Sequence, residues 1–496
     1  MTPHHETSAD GQRLERVAPE VVETHISTVC FVGDRAYKLL KPLTTSFLDF
    51  STTEKRIAAV TQEIELNRRL APEVYLGHAD VVEAGQVVDR MIVMRRLPAD
   101  RRLTAMLGHP EVGECVRSIA RTVAAFHAAQ EPLLDAEAIA GRTGLLKNWT
   151  DNFDDIEPLV GDVLQRAEVE RARHLVRQFL DHREPLLRQR MADGLVRDGH
   201  GDLTASDIFC LDEGPQILDC LAFDPKLRIA DVLLDVAFLV MDLDRLAGSR
   251  LSSAFLRWYC EFSNEHHPAA LAHHYVAYRA HVRAKVEGLR YRQGDASAAA
   301  AVRAYHHLCV SHLERAQLTV TLVGGTPGTG KSTLARGLSG AFGSMLLTTD
   351  ELRKDLAGRP HLDHEVAKAD EGIYTPSMSD LTYQTLLQRA GALLDRAESV
   401  VLDASWNREE HRAAARALAE AKGADVIEIE CVLDANTAKQ RVAARLDEGT
   451  DPSDARPELI DELRTRHAPW SEAIAVDTHP HPDDVLDATI ARLGCL

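Results

Sequence analysis

The stretch Leu322-Val323-Gly324-Gly325-Thr326-Pro327-Gly328-Thr329-Gly330-Lys331-Ser332-Thr333 restricts the choice of fold more than any other part of the chain. An apolar run, Leu318 to Val323, leads into it, and Thr333 to Leu338 reads as the start of a helix. Gly325, Gly330, Lys331 and Ser332 meet the pattern G-x-x-x-x-G-K-[ST]. A polyphosphate needs many donors converging on one concavity. Glycines let successive backbone N–H groups turn inward, and the helix N-terminus adds partial positive charge. Thr326, Pro327, Gly328 and Thr329 complete the loop, and Thr333 follows it into the helix. Lys331 reaches the β- and γ-phosphates of ATP in such a loop, and the Ser332 hydroxyl ligates Mg²⁺. A plain strand-to-helix turn is the bland alternative. The strand before and the helix after favour the nucleotide site.

At 496 residues the chain is too long for a single core, so at least two domains are expected. A net charge of −19 disfavours a long nucleic acid as partner. No apolar run is long enough to span a bilayer, and Met1-Thr-Pro-His-His-Glu6 is not a leader, so a cytoplasmic protein is expected. Eight cysteines (Cys30, Cys115, Cys210, Cys220, Cys260, Cys309, Cys431 and Cys495) include no C-x-x-C pair. They read as reduced, buried thiols and not as a disulfide frame or a zinc site. Nothing in the sequence indicates an oligomeric state.

Residues 1–20 are polar and expected to be frayed. The alternation on either side of Gly33-Asp34 predicts two strands around a tight turn. Phe50 to Leu70 predicts a helix, and Val74–Ala79 and Val87–Met94 two more strands. Thereafter helices dominate: Val112–Gln130, Leu159–Met191, Val232–Ala247, Tyr275–Tyr291 and Ala298–Gln317, with a β-rich patch from Val196 to Phe223. From Leu318 the rhythm is βα, with strands at Leu318–Val323, Ser344–Thr348, Ser399–Leu402, Asp425–Val432 and Ile474–Asp477. That pattern predicts a doubly wound parallel α/β sheet. The expected boundary lies near residue 315, between an α+β part over 1–315 (a small lobe over about 20–98, a helical lobe over 99–315) and an α/β part over 316–496.

The first part carries a second set of charged residues. Lys38 ends a strand and Glu63 lies in the next helix. His200-Gly201-Asp202-Leu203 follows, then Asp207 and Asp219. Phosphoryl transfer to an alcohol needs a carboxylate to orient the hydroxyl, an acid to hold Mg²⁺, and a lysine steadied on the phosphates by a glutamate. The four occur in the chain order of the protein-kinase signature. These residues, with Ala124-Ala-Phe-His127, resemble the aminoglycoside-phosphotransferase and choline-kinase branch of the protein-kinase-like fold. The resemblance implies a bilobal domain with Asp202 as catalytic base, Asp219 as metal ligand, Lys38 on the phosphates and Glu63 as its ion-pair partner. Two departures stand out. Asp207 occupies the position five after the base where that family has Asn, and Gly33 stands alone where a glycine-rich flap would lie. Lys41 competes with Lys38 for the phosphate role. Asp231 and Asp235 read as helix N-terminal caps or dipole partners in preference to metal ligands, and Arg279 and Arg283 as a solvated charged face in preference to an anion site.

In the second part Asp350 ends a strand and Arg353 lies one turn on. Asp403 ends another apolar strand, and Arg441 and Arg445 lead into the segment from Leu446 to Ala455. Ligands sit at the carboxyl edge of such sheets. Asp350 is placed to accept a hydroxyl proton, Arg353 to clamp an anionic part of the acceptor, and the two later arginines to meet the transferring charge as a lid closes. Asp403 reads as a Mg²⁺-side carboxylate or as the cap of the next helix. This part resembles the small P-loop kinases of the gluconate, shikimate and adenylate kinase kind. The whole chain resembles bacterial fusions of an aminoglycoside-phosphotransferase-like domain to a P-loop ATP-binding domain. The function these readings imply is phosphate transfer from Mg·ATP to a small hydroxylated acceptor, the first part being a second kinase or a substrate-selecting module. A regulatory ATP-binding protein with a degenerate kinase-like part, and a kinase of nucleic-acid ends or nucleotide sugars, are the rival readings.

Overall fold

In a computed structural model, residues 20–24, 26–44, 48–361, 372–448 and 456–493 are described. The polar stretch 1–19 and residues 449–455 of the expected lid lie outside them. The chain forms two compact units, residues 1–143 with 190–266, and residues 144–189 with 267–496.

In the first unit, β1 (Glu20–Glu23), β2 (Ser27–Val32), β3 (Arg35–Leu40), β4 (Tyr75–Glu83) and β5 (Gln86–Arg95) form an antiparallel sheet in the order β1-β2-β3-β5-β4. The Gly33-Asp34 turn predicted from sequence joins β2 to β3, with Val32 opposite Arg35. The Thr53–Asn67 helix starts where the Thr52 side chain accepts from Lys55 N. Its Val60 and Ile64 join Leu40, Tyr75 and Ile92 in one core. The core also takes in Phe209 and Leu218 from β7 (Ile208–Leu211) and the turn after β8 (Gly214–Ile217), a hairpin. A second short ladder pairs β6 (Val196–Asp198) with β9 (Ile229–Asp231). The Val232–Ala247 helix follows β9 and is almost wholly buried, as its near-continuous apolar sequence requires.

Two findings in this unit differ from expectation. Cys115, on the Val112–Ala129 helix, is disulfide-bonded to Cys210 on β7. Residues 95 apart in sequence meet there at a Cα–Cα distance of 6.0 Å, a proximity no local spacing could signal. The Ser249–Ser263 helix, not anticipated from sequence, packs on the Val112–Ala129 helix.

In the second unit, β10 (Leu318–Gly324), β11 (Met345–Thr348), β12 (Val400–Asp403), β13 (Ala424–Val432) and β14 (Ile474–Asp477) form an all-parallel sheet in the order β11-β12-β10-β13-β14. β10 is central and buried along almost its whole length, which is why it reads as a continuous apolar run. The chain leaves β10 toward one edge and later returns to the other side. The end of β10 is therefore a topological switch point, where ligands bind in such sheets.

The helices Arg142–Ile156 (from Gly144 onward), Arg166–His182, Ala269–Arg292 and Ala298–Arg315 group with this sheet and not with the first unit. The last runs almost directly into β10. Arg183 Nη2 donates to Lys422 O (2.9 Å) and Gln178 Nε2 to Gly423 O (3.3 Å), tying the helices to the turn before β13. Residues 144–189 and 267–315, expected on the far side of a boundary at 315, thus share a compact unit with the phosphate loop. Arg279 is only 5% exposed, so the expected solvated face is buried there. Arg283 pairs with Glu287 at 3.5 Å.

Candidate active sites

The phosphate loop begins as β10 ends. Gly325 has φ +136° and Gly328 φ +84°, and a Cβ on either would meet a carbonyl oxygen at 2.6 or 2.5 Å, of Cys431 and Ala438 respectively. Only glycine satisfies both demands. Thr329 Oγ1 closes the loop onto Thr326 O at 2.8 Å, with Pro327 and Gly328 between. Gly330 then caps the Lys331–Phe342 helix, and Thr333 N bonds Gly330 O. Lys331 and Ser332 stand in the first turn of that helix.

Asp403 ends β12 and lies in register with Val323 of β10 and Thr348 of β11. It is 5% exposed, and its Oδ1 is buried without a hydrogen-bond partner. Burial raises its pKa, while the Lys331 ammonium and the Ser332 hydroxyl draw it back. An unpartnered buried carboxylate oxygen beside a hydroxyl is a hard-oxygen donor set of the kind Mg²⁺ takes. The next helix, Glu409–Ala421, has Arg408 at its N-cap position, so Asp403 does not cap it; the Asp403 backbone oxygen accepts from Thr349 Oγ1 at 3.3 Å.

Asp350 sits in the first turn of the Thr349–Leu356 helix, two residues past the end of β11 and not at the strand end expected for it. Arg353 Nη1 pairs with it at 3.3 Å. Arg353 is 8% exposed, lies 4.7 Å over the Tyr374 ring and leaves its Nε unpartnered, so it is not a surface ion pair. Arg441, on the Ala435–Glu448 helix, donates to Thr478 O at 2.9 Å. Its Nη1 is 3.6 Å from where a Gly330 Cβ would stand, hence beside the phosphate loop. Arg445 lies one turn further along the same helix and is half-buried.

The kinase-like set in the first unit also converges. Lys38 Nζ bonds Glu63 Oε1 at 2.8 Å and Asp219 Oδ1 at 2.7 Å. Burial alone would lower its pKa, but the two carboxylates hold it well above the usual lysine value. Lys38 in turn holds Asp219 low. Lys41 bonds Glu23 Oε2 and Thr24 O instead, so of the two lysines Lys38 is the one that meets Glu63 and Asp219. Asp219 has φ +58°, a left-handed conformation tolerated by Asp, and its N–H donates to Tyr75 Oη at 3.3 Å. Asp207 accepts from Thr204 Oγ1 (2.7 Å) and Ser206 Oγ (3.2 Å). Burial, then Asp219 and Asp202, push its carboxyl up to about 7.

Asp202 follows His200 in a turn whose organiser was not recognised from sequence. Asp235 accepts His200 N (2.7 Å), Gly201 N (2.8 Å) and His127 Nε2 (3.0 Å), and His127 Nδ1 meets Tyr259 Oη at 2.9 Å. Burial opposes its charge, yet the histidines and amides hold it well below the usual carboxylate range. Asp231 is the cap, accepting Leu233 N and pairing with Arg190, and Asp235 stands in the first turn of the same helix, where a dipole partner would lie, with its side chain turned to the His200 loop. The signal was present in Ala-Phe-His127 and the second Asp, but their contact is 108 residues long. Asp235→Asn puts an amide against two N–H donors. It is expected to lower the unfolding free energy of this unit by about 2–3 kcal/mol, with faster hydrogen exchange at His200 and Gly201. An unchanged denaturation midpoint would contradict this bracing role.

Comparison with known proteins agrees with both halves. The Phosphotransferase enzyme family matches residues 50–273 and the AAA domain matches residues 320–470. An uncharacterized protein of Mycobacterium tuberculosis is 37% identical over 464 residues, covering 92% of each chain, and one of Mycobacterium bovis is equally similar. The chain belongs to their family. It is a fusion of an aminoglycoside-phosphotransferase-like region with a P-loop kinase-like region. Solved structures similar to parts of the fusion include a choline/ethanolamine kinase family protein from Mesorhizobium loti (13% identity, TM-score 0.39, 60% of this chain and 89% of that one). A gluconokinase from Sinorhizobium meliloti is another (18% identity, TM-score 0.26, 36% and 93%). The two family matches make phosphotransfer the class of chemistry, and kinase families use ATP and usually Mg²⁺. No helix among the described residues of the fusion is long and apolar enough to cross a membrane.

Proposed function

We propose that the fusion transfers the γ-phosphate of ATP to a hydroxyl of a small cytosolic metabolite, with the chemistry at the phosphate loop of its carboxy-terminal part. The observation that carries this reading is the unpartnered, buried Asp403 Oδ1 beside Lys331 and Ser332. Ser332 and Asp403 would hold Mg²⁺, which supplies charge neutralisation at the β- and γ-oxygens. The loop amides from Gly325 to Gly330 and the Lys331 ammonium bind the phosphates. Asp350 takes the acceptor hydroxyl proton as the new O–P bond forms and the bond to ADP breaks. Arg353, already paired with Asp350, aims that carboxylate and offers its free Nε edge to an anionic or hydroxyl group of the acceptor. Arg441, beside Gly330, and Arg445, a turn on, meet the transferring charge.

A second phosphotransfer site in the amino-terminal part is favoured by one specific arrangement. Lys38 already bridges Glu63 and Asp219. There Asp202 would be the base, with Asp207 and Asp219 toward Mg²⁺. A carboxyl that titrates near 7 is partly neutral at physiological pH, so Asp207 departs less from Asn in charge than its formal identity suggests. The deciding assay is acceptor-dependent ADP release from sugars, polyols, aminoglycosides and nucleosides, run on wild type, Asp202→Ala and Asp350→Ala in parallel. Loss of an acceptor only in Asp350→Ala is the expected result. Loss only in Asp202→Ala moves the chemistry to the amino-terminal part, and ATP binding without any acceptor-dependent release supports a regulatory ATP-binding protein.

A further inference from the structure

Arg412, on the Glu409–Ala421 helix, is 1% exposed and contacts no residue assigned above to phosphate, metal or acceptor. Its guanidinium collects an unusual set of acceptors. Nη1 donates to Trp406 O (3.4 Å) and Ala468 O (3.3 Å), Nη2 to Pro469 O (2.9 Å), and Nε to Glu409 Oε2 (2.9 Å). Its plane lies 5.1 Å over the Trp470 ring. One cation thus fastens the segment after β12 to the segment before β14. A second tie, from Ala468 N to Asn407 O at 3.0 Å, runs between the same two segments.

The two tryptophans these segments carry close on one residue, Gly324, the last of β10 and the neighbour of the phosphate loop. A Cβ at Gly324 would lie 2.3 Å from Trp470 Cζ3, 3.0 Å from its Cη2 and 3.1 Å from Trp406 Cδ1. Trp406 is fully buried with φ +49°, its Nε1 held by Leu402 O at 3.1 Å, and Trp470 Nε1 is held by Glu428. Next along, Gly325 N donates to Ser405 O, just before Trp406. A bulky, polar-anchored clasp of this kind is more than a core needs, since an all-apolar filling would avoid the desolvation of a buried cation.

We infer that Arg412 is a positioning residue for ATP: through Trp406 and Trp470 it sets where Gly324 ends and hence where the phosphate-loop amides point. The inference rests on the nucleotide reading of that loop. It also makes Trp406 and Trp470 native reporters of the loop, because phosphates drawn into it press on the strand end they flank.

The test uses the full chain, with Mg·ATP titrated by calorimetry and by tryptophan emission. Arg412→Lys keeps the charge but lacks the fork that reaches three carbonyls. Trp470→Phe keeps a ring but removes the Cζ3 and Cη2 atoms that touch Gly324. Each is expected to weaken ATP binding by calorimetry on the order of 10- to 100-fold and to leave acceptor KM unmoved, and Arg412→Lys, which keeps both tryptophans, to diminish the emission change. The double variant should be little worse than the worse single one, since both act through one contact. If Arg412→Lys does not fold, Trp470→Phe alone decides. Wild-type affinity in the folded variants would overturn the positioning role while leaving the nucleotide reading standing. A wild-type protein that binds no Mg·ATP would overturn that reading, and this inference with it.

Discussion

Lys331→Ala is expected to cost roughly 10²–10³-fold in acceptor-dependent ADP release, about 2.7–4 kcal/mol of transition-state stabilisation. The ammonium acts twice. It opposes the charge that grows on the transferring phosphoryl group, and it draws down the carboxyl of Asp403, which burial pushes up. Without it the burial of Asp403 is less opposed and its hold on Mg²⁺ weakens, so the loss should be partly relieved by raising magnesium. The fold should tolerate the change, because Lys331 is half-buried at a helix start and carries no core packing. A melting temperature near wild type with collapsed turnover is therefore the expected pair of results. Full turnover in Lys331→Ala would remove the chemistry from this loop. The Asp202→Ala protein, assayed beside it, would then be the one to fall.

The distribution of what could be read in advance follows from contact range. The phosphate loop is local: glycines, lysine and serine stand within a few residues and their spacing is their geometry. The five parallel strands were legible for a related reason: β10 and β12, buried along nearly their whole length, are short apolar runs between turn residues, and the βα rhythm around them marks the other three. The kinase-like set was legible only through its order along the chain. Its geometry joins Lys38 to Asp219 across 181 residues, and periodicity has no access to that distance. Asp235 shows the limit clearly. Spacing from Asp231 suggested a cap or a dipole partner, while its real partners are amides and an imidazole on other elements. The same holds for Cys115 and Cys210, which read as separate thiols.

The unanticipated Arg142–Ile156 helix illustrates a different failure. Its sequence carries Gly144, Thr150 and several Asn and Asp residues, poor helix formers with a weak apolar stripe. Tertiary packing overrides that weakness. Trp149 and Phe153 stack on each other and both meet the His281 ring at a tilt, and Trp149 Nε1 donates to His274 Nε2 at 3.3 Å. Lys285 Nζ holds Asn152 at 2.6 Å. The histidines that supply this anchorage belong to the Ala269–Arg292 helix, where His274 and His281 are fully buried.

Those histidines make the second unit acid-sensitive, and the expected effect is large. Burial pulls both His274 and His281 down to about 3, with Lys285 and Arg173 adding to the shift at His281. His306 is lowered for the same reason, although Glu168 partly opposes it. A histidine whose folded value lies below its unfolded value of about 6.5 binds fewer protons when folded. Unfolding therefore takes up protons on acidification. The stability is whole above about 6.5 and drains away as pH falls toward 3. At pH 5 each of His274 and His281 should subtract about 2 kcal/mol, together about 4 kcal/mol, a large share of a typical total of 5–15 kcal/mol. Denaturant unfolding followed through tryptophan emission at pH 7, 6 and 5 should show the midpoint falling by a growing step, because protonation is only beginning at pH 6. His281→Leu, which keeps the ring contacts of Trp149 and Phe153 apolar, should roughly halve the slope below pH 6. A midpoint that stays level from pH 7 to pH 5, or a slope indifferent to His281→Leu, would mean that these rings protonate in place, and that the aromatic stack around Trp149 is open enough to admit the charge.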